Sequence, residues 1–218
     1  MAGVPKMGFF GPMKGLDSAK HEITVLDDGR VQATIEHEPM RGVSIQMLRW
    51  WWGNIDTTTS WNGRTFGGPP VPVYRYWHPF DHIRARWVRK VNDSGGRLGP
   101  GSVIRIEENL GGQYEVRIRA HVTRLDDDAF NFAITVLGFL RPLEVEHYYE
   151  PTREGCSFLT RVTTGIRIAA LGRSIGPSVE TRKRLLKLWV LHNIEESGET
   201  EKFVPILYEH SLKGGNAA

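Results

Sequence analysis

The side chains of this chain best suited to chemistry are histidines and carboxylates on faces that are otherwise apolar. In Val103-Ile104-Arg105-Ile106-Glu107-Glu108 the residue types alternate, and Glu108 has the parity of Ile104 and Ile106. Parity turns Glu108 inward and Glu107 outward, unless the strand stops at Glu107 and leaves Glu108 solvated in a turn. His192 and Glu196 stand at i and i+4 on a stripe that runs Leu185, Trp189, His192, Glu196. That spacing puts an imidazole and a carboxylate one helical turn apart. The plainer alternative is a helix end that turns polar as it leaves the core. Glu195, at i+3, could replace Glu196, although Glu196 continues the stripe better. Trp77-His78-Pro79-Phe80-Asp81-His82 carries two histidines around a proline turn. Asp81 or a backbone carbonyl can orient one of these imidazoles, with aromatic loop packing as the alternative. His147 and Tyr149 share the inward parity of Leu143 and Val145, as core residues or as the lining of a cavity. Burying a bare carboxylate or imidazole is costly unless it is paired or binds a metal. His82, Glu108, His192 and Glu196 together offer two imidazoles and two carboxylates. That donor set suits a divalent ion, Zn²⁺ before others, with room for water.

The elements that must position these groups are legible in the same pattern. Residues 114–122, 130–136, 143–149 and 157–168 read as alternating strands separated by turn residues, which predicts an antiparallel meander. His21 to His37 contains Asp27-Asp28-Gly29, a hairpin signal. Ser44 is placed to cap a short helix carrying Met47, Leu48, Trp51 and Trp52, and residues 53–72 read as a long loop. Ser178 to Ser197 is the strongest helix, with Gly198 as its stop and a second short helix interrupted by Pro205 between Thr200 and Ser211. A curved antiparallel sheet around one long C-terminal helix is an α+β, helix-grip arrangement with a central cavity. We read residues 1–34 as an N-terminal arm and hairpin, residues 35–212 as the catalytic domain and residues 213–218 as a frayed tail.

Composition narrows the function classes. In 218 residues, 28 Lys and Arg oppose 25 Asp and Glu, and the only dense basic run is Arg182-Lys183-Arg184. Nucleic acid is therefore not an expected partner. The single cysteine, Cys156, excludes an internal disulfide and a multi-Cys metal site. No apolar run approaches the ~20 residues of a membrane span, and Gly, Pro and Lys stand where a signal peptide needs an apolar core. The expectation is a cytoplasmic protein without a membrane partner. Trp and Met side chains in 47–52 are candidates for a homodimer contact, which core packing explains as well. No Gly-x-Gly-x-x-Gly, P-loop, Gly-x-Ser-x-Gly or His-Glu-x-x-His is present.

Five short runs occur in order: Met47-Leu48-Arg49-Trp50-Trp51-Trp52, Tyr74-Arg75-Tyr76-Trp77-His78-Pro79-Phe80-Asp81-His82, Glu108-Asn109-Leu110-Gly111-Gly112, His192-Asn193-Ile194-Glu195-Glu196 and Phe203-Val204-Pro205-Ile206-Leu207-Tyr208. Together they resemble the diacetylphloroglucinol hydrolase and phloretin hydrolase family over roughly residues 35–210. The resemblance implies a Bet v 1-like helix-grip fold and a divalent metal, usually zinc, on His82, Glu108, His192 and Glu196. It also implies hydrolysis of the bond between an acyl carbonyl and a phloroglucinol ring. Tyr74 matches a family tyrosine near the substrate, and Tyr149 or Tyr148 a second. On this reading Tyr74 donates to a ring oxygen, His78 or His147 moves the proton, and Trp51, Trp77 and Tyr149 form apolar walls. Gly53-Asn54-Ile55 stands where the family continues from its Trp pair to a histidine. The family's members are also longer, with a wider spacing between the residues matching His82 and Glu108. The alternatives are a polyketide or aromatic-ligand carrier, or a cyclase of the same fold.

Overall fold

A computed structural model describes residues 6–168 and 173–214. The first five residues of the expected arm and residues 215–218 of the expected tail lie outside these. Nine strands form one antiparallel sheet: β1 (Ala19–Val25), β2 (Val31–His37), β3 (Met40–Arg41), β4 (His82–Arg89), β5 (Val103–Leu110), β6 (Tyr114–Leu125), β7 (Ala129–Val136), β8 (Leu140–Pro151) and β9 (Gly155–Thr164). Their order is β1-β2-β9-β8-β7-β6-β5-β4, with β3 also pairing β9. The strand alternation expected from sequence is observed, except that the expected 157–168 strand ends at Thr164 and Ile166–Ile168 pairs with Arg173–Ile175 in a separate small sheet. The 34/35 boundary is not observed, because it falls inside β2, whose hairpin with β1 is part of the main sheet.

Among the described residues three α-helices accompany the sheet: α1 (Ile45–Asn54), α2 (Val73–Trp77) and α3 (Val179–Leu212). Ser44 caps α1 as expected, its Oγ accepting from the Met47 N–H at 3.2 Å. Trp51 and Trp52 are fully buried in the main core, and Met47 and Trp50 pack against it, so core packing accounts for this segment. The expected 53–72 loop is interrupted by one small strand pair, Thr58–Thr59 with Val71–Pro72. It then runs into α2, which sequence periodicity over five residues could not have shown.

The largest departure from the sequence reading is α3. Gly198 and Pro205 both lie inside it, and the two expected helices are one. A proline in a helix loses one backbone bond and crowds the preceding turn, at about 3 kcal/mol. Burial of Phe203, Val204 and Leu207 offsets that cost. Gly198 is a clearance position. A Cβ there would lie 2.7 Å from Cγ of Lys14, because the N-terminal arm crosses the helix at this point. The arm is pinned by Lys6 to Glu195 at 2.8 Å and by Lys14 to Glu201 at 2.6 Å. Lys202 donates to the Pro12 carbonyl at 2.6 Å. The helix therefore has two working faces. Leu186, Val190 and Ile194 pack on Val31, Ala33, Ile35, Val145 and Val162 of the sheet, while Trp189, His192 and Glu196 face a cavity.

If burial holds the helix through Pro205, Phe203→Ala should cost about 3–5 kcal/mol. Ile206→Ala, on the exposed side, should change stability by less than about 0.5 kcal/mol. Urea unfolding of both variants checks this, and equal effects would refute it.

Candidate metal centre

The four residues expected to bind metal converge. His82 opens β4, and its Nε2 lies 3.3 Å from Nε2 of His192 and 3.2 Å from a carboxylate oxygen of Glu196. The same Nε2 is 3.7 Å from Glu108 Oε1, and His192 Nε2 is 3.5 Å from Glu196 Oε2. Register brings Glu108 there, since β4 and β5 pair His82 directly opposite Glu108. Glu108 is inside a strand that continues to Leu110, so the solvated-turn alternative does not hold. Helix α3 supplies the other pair one turn apart. All four are buried.

Each donor is held from behind. His82 Nδ1 lies 2.8 Å from the Tyr74 carbonyl, which can only accept, so Nδ1 carries the hydrogen and Nε2 is left with a lone pair. His192 Nδ1 lies 3.0 Å from Asp81 Oδ2 and donates to it. Asp81 also accepts from the Gly111 N–H. Burial opposes its ionisation, yet the His192 and Gly111 hydrogen bonds hold its pKa well below the usual carboxylate range. Asn193 donates to Glu196 Oε1 at 2.6 Å, leaving the other oxygen for the histidines. The Tyr74 hydroxyl donates to Glu108, and its ring stacks on His82 with centroids 3.8 Å apart. The sequence expectation that Asp81 or a carbonyl orients an imidazole is met by both groups, one for each histidine.

Two neutral imidazoles with facing lone pairs, closed in by two carboxylates, need a cation between them. A proton is one answer. Burial opposes charging His192, but Glu196, Asp81 and Glu108 outweigh it and push its pKa up to about 9. His82 is driven well below its ordinary value, mainly by burial. Burial also raises the pKa of Glu196. A divalent ion answers all four electron pairs at once, and the N₂O₂ donor set with carboxylate-oriented histidine fits Zn²⁺.

The cavity beyond these donors is lined by Trp52, Trp77, Phe130, Phe132, His147 and Trp189, with Tyr74 beside Glu108. His147 reaches it as parity predicts. His78 does not. Its Nδ1 accepts from the Asp81 N–H and its Nε2 donates to Glu195 at 2.9 Å, so both ring nitrogens brace the centre from the far side. Glu195 faces His78 and Lys6, whereas Glu196 faces His82 and His192. Tyr149 is also turned away, with its hydroxyl donating to the Asp126 carbonyl at 2.7 Å. Tyr148 bonds Glu146 instead. Trp51 lies in the core and not in the wall as expected; its neighbour Trp52 lines the cavity instead. Sequence reading missed Thr160 and His37, which share one hydroxyl with His147. Thr160 Oγ1 lies 3.0 Å from His147 Nδ1 and 3.2 Å from His37 Nε2. The parity that selected Glu108 would have found His37, the last of the inward series Val31, Ala33, Ile35.

No protein-family model and no curated protein matches this chain. Among solved structures, the di-domain ARO/CYC StfQ from the steffimycin biosynthetic pathway superposes with a TM-score of 0.51 at 16% identity, over 83% of this chain and 52% of that one. The chain thus spans about half of that di-domain protein. A START superfamily protein from Mycobacterium smegmatis reaches 0.43 at 12% identity, over 77% of this chain and 97% of that one. Protein Ms6760 from the same organism reaches 0.46 at 14%, over 88% and 99%. The fold is the Bet v 1-like helix-grip fold. Among the described residues no helix is long and apolar enough to cross a membrane.

Purified protein should hold about one equivalent of zinc or take it up, and His192→Ala should lose it. Asp81→Asn should keep the fold and weaken zinc affinity about 10–100-fold, as chelator competition would read. Unchanged affinity in Asp81→Asn would refute the orienting role. A second expectation concerns acid. Burial pushes His147 from 6.5 down to about 3, so below pH 6.5 the unfolded chain binds a proton that the folded one refuses. The stability held above pH 6.5 should then fall by about 1.4 kcal/mol per unit between pH 6.5 and 3. In His147→Phe the urea midpoint should depend less on pH over that range, and an unchanged slope would overturn the assignment.

Proposed function

We propose that this protein is a metal-dependent hydrolase that cleaves the carbon–carbon bond between an acyl carbonyl and an electron-rich, polyhydroxylated ring. This is the activity of the diacetylphloroglucinol and phloretin hydrolases whose motifs it resembles. The observation that carries the reading is the gathering of His82, His192 and Glu196, with Glu108 3.7 Å from His82 Nε2, at one end of an aromatic cavity. A ligand carrier has no use for four buried donors, which cost stability to assemble.

An acyl group on a polyhydroxylated ring behaves as a vinylogous β-diketone, and ketonisation makes the ring carbon a leaving group. A divalent ion on the four donors supplies Lewis acidity and lowers the pKa of water. Tyr74 supplies a neutral donor. Burial, then Glu108, holds its pKa well above 10, so it keeps its proton; that one hydrogen is given to Glu108 and serves a ring oxygen only when it turns from the carboxylate. Trp52, Trp77 and Phe130 give a flat ligand apolar walls and exclude bulk water. Ile106, Phe132 and Trp189 are the half-buried members of the lining and mark its mouth.

The second reading is a cyclase or binding protein for aromatic polyketides. It is favoured by the fold shared with a domain of the ARO/CYC protein StfQ. The two readings differ in product. With zinc-loaded protein and 2,4-diacetylphloroglucinol, the hydrolase reading expects one acetate and one deacylated ring per turnover, lost on chelation. Tyr74→Phe should lower kcat about 10²–10⁴-fold. Ligand binding that proceeds without acid release, and equally well in His192→Ala, would support the second reading instead.

A further inference from the structure

One end of the sheet carries apolar side chains that the fold does not use. β7 and β8 are joined by the three-residue turn Leu137-Gly138-Phe139, in which Leu137 is 77% and Phe139 72% exposed. Val136, just before the turn, is 44% exposed. Leu137 stands at a φ of 54° and is the only non-glycine residue at positive φ among the described residues. Gly, Asn and Asp take that conformation far more readily than Leu. Neither backbone preference nor burial accounts for a leucine at this position.

The cavity mouth lies toward the same end. Phe132, Ile134 and Val136 share one face of β7, which leads from the half-buried mouth residue Phe132 to the turn. On the helix side Trp189 packs in the same cluster as Phe132, and Leu185 stands one turn closer to the N-terminus of α3. That N-terminus holds the only dense basic run of the sequence. Arg182 is buried and donates to the Thr164 carbonyl at 3.2 Å, where β9 ends, while Arg184 and Lys187 are exposed. The small sheet of Ile166–Ile168 and Arg173–Ile175 adjoins the start of β8, where the Gly165 N–H donates to the Pro142 carbonyl at 2.9 Å. It adds exposed Arg167 and Arg173. Asp28 lies 3.9 Å from Arg167, and Glu180 pairs with Lys183 at 3.8 Å. Arg173, Arg184 and Lys187 make no ion pair among the described residues.

We propose that this end of the molecule docks on an anionic lipid surface, with Leu137 and Phe139 in the interfacial layer, the free cations against lipid phosphates and the cavity mouth turned toward the bilayer. The shape selects the occupant. The apolar part is a protruding turn of two or three side chains, far less than the about 800 Å² per partner of a stable protein interface. An interfacial layer needs no complementary pocket, and it favours apolar area combined with positive charge. The expectation of no membrane partner rests on the lack of a spanning segment, which surface attachment does not require. A flat apolar ligand dissolved in the bilayer then enters the cavity without crossing water. The docking itself does not rest on the hydrolase reading.

Cosedimentation of the full chain with phosphatidylcholine vesicles, with and without about one-third phosphatidylserine, tests this. Partition should be roughly tenfold or more stronger on the anionic vesicles and should be lost in high salt. Leu137→Asn suits the turn, so it should leave the urea midpoint unchanged or raise it while weakening partition roughly tenfold. Arg184→Glu combined with Lys187→Glu should weaken partition on the anionic vesicles by roughly tenfold or more. Equal partition on both compositions, no partition on either, or a folded Leu137→Asn protein that binds as well as the unmodified chain would overturn the proposal. So would a dimer that Leu137→Asn dissociates in sedimentation equilibrium, because the turn would then be a contact between copies. None of these readouts needs turnover. Failure to hydrolyse an acylphloroglucinol leaves the docking standing, and failure to bind vesicles leaves the hydrolase reading intact.

Discussion

The rest of the structure depends on one electrostatic constraint: two imidazoles and two carboxylates are buried side by side at one end of the cavity. Nothing in an apolar core favours that arrangement, so it exists only because each donor is fixed by a partner on its far side. Asp81 fixes His192, the Tyr74 carbonyl fixes His82, Asn193 fixes Glu196 and the Tyr74 hydroxyl fixes Glu108. These partners are themselves buried, and Asp81 is further tied to the Gly111 backbone. The sheet edge and the helix cannot shift relative to one another without breaking several of these bonds together.

The same constraint accounts for the N-terminal arm. Residues 192–200 of α3 are buried without interruption, whereas a helix lying on a sheet normally keeps a wet face. Glu195 and Glu199 fall on the side away from the sheet, and Lys6 and Lys202 reach them at 2.8 and 2.5 Å. The Lys6 ammonium and His78 hold Glu195 below the usual carboxylate range against its burial. The arm thus keeps charged the carboxylate that anchors His78, which in turn packs on His192 with ring centroids 4.6 Å apart.

Local pattern carried much of this into the sequence. Strand parity placed Glu108 and His147, and helical spacing placed His192 with Glu196, because periods of 2 and 3.6 are set by the backbone. The convergence of three elements was legible only through residue types that would be costly to bury apart. What stayed hidden depends on distant segments. Gly198 and Pro205 read as helix breakers, and it is the arm above and the core beneath that keep the helix intact. Tyr149 has the parity and His78 the residue type for a site, but their polar atoms are taken up by the Asp126 carbonyl, Glu195 and the Asp81 N–H. Sequence offers no means of ranking those partners against a cavity.

Tyr74 shows how little chain is needed to organise the centre. It lies in the five-residue α2, which could not persist alone. Its backbone carbonyl sets the tautomer of His82, its hydroxyl holds the carboxylate of Glu108, and its ring lies against His82 at an angle of 4°. Phe in its place would keep the carbonyl and the stack and release only Glu108. Loss of the hydroxyl therefore separates the role of a hydrogen-bond donor from the assembly of the donor set. The carbonyl that orients His82 belongs to the backbone and survives any side-chain change at this position. The four donors remain gathered by elements that the substitution does not touch, with His82 and Glu108 still opposed across β4 and β5 and His192 and Glu196 still one turn apart on α3.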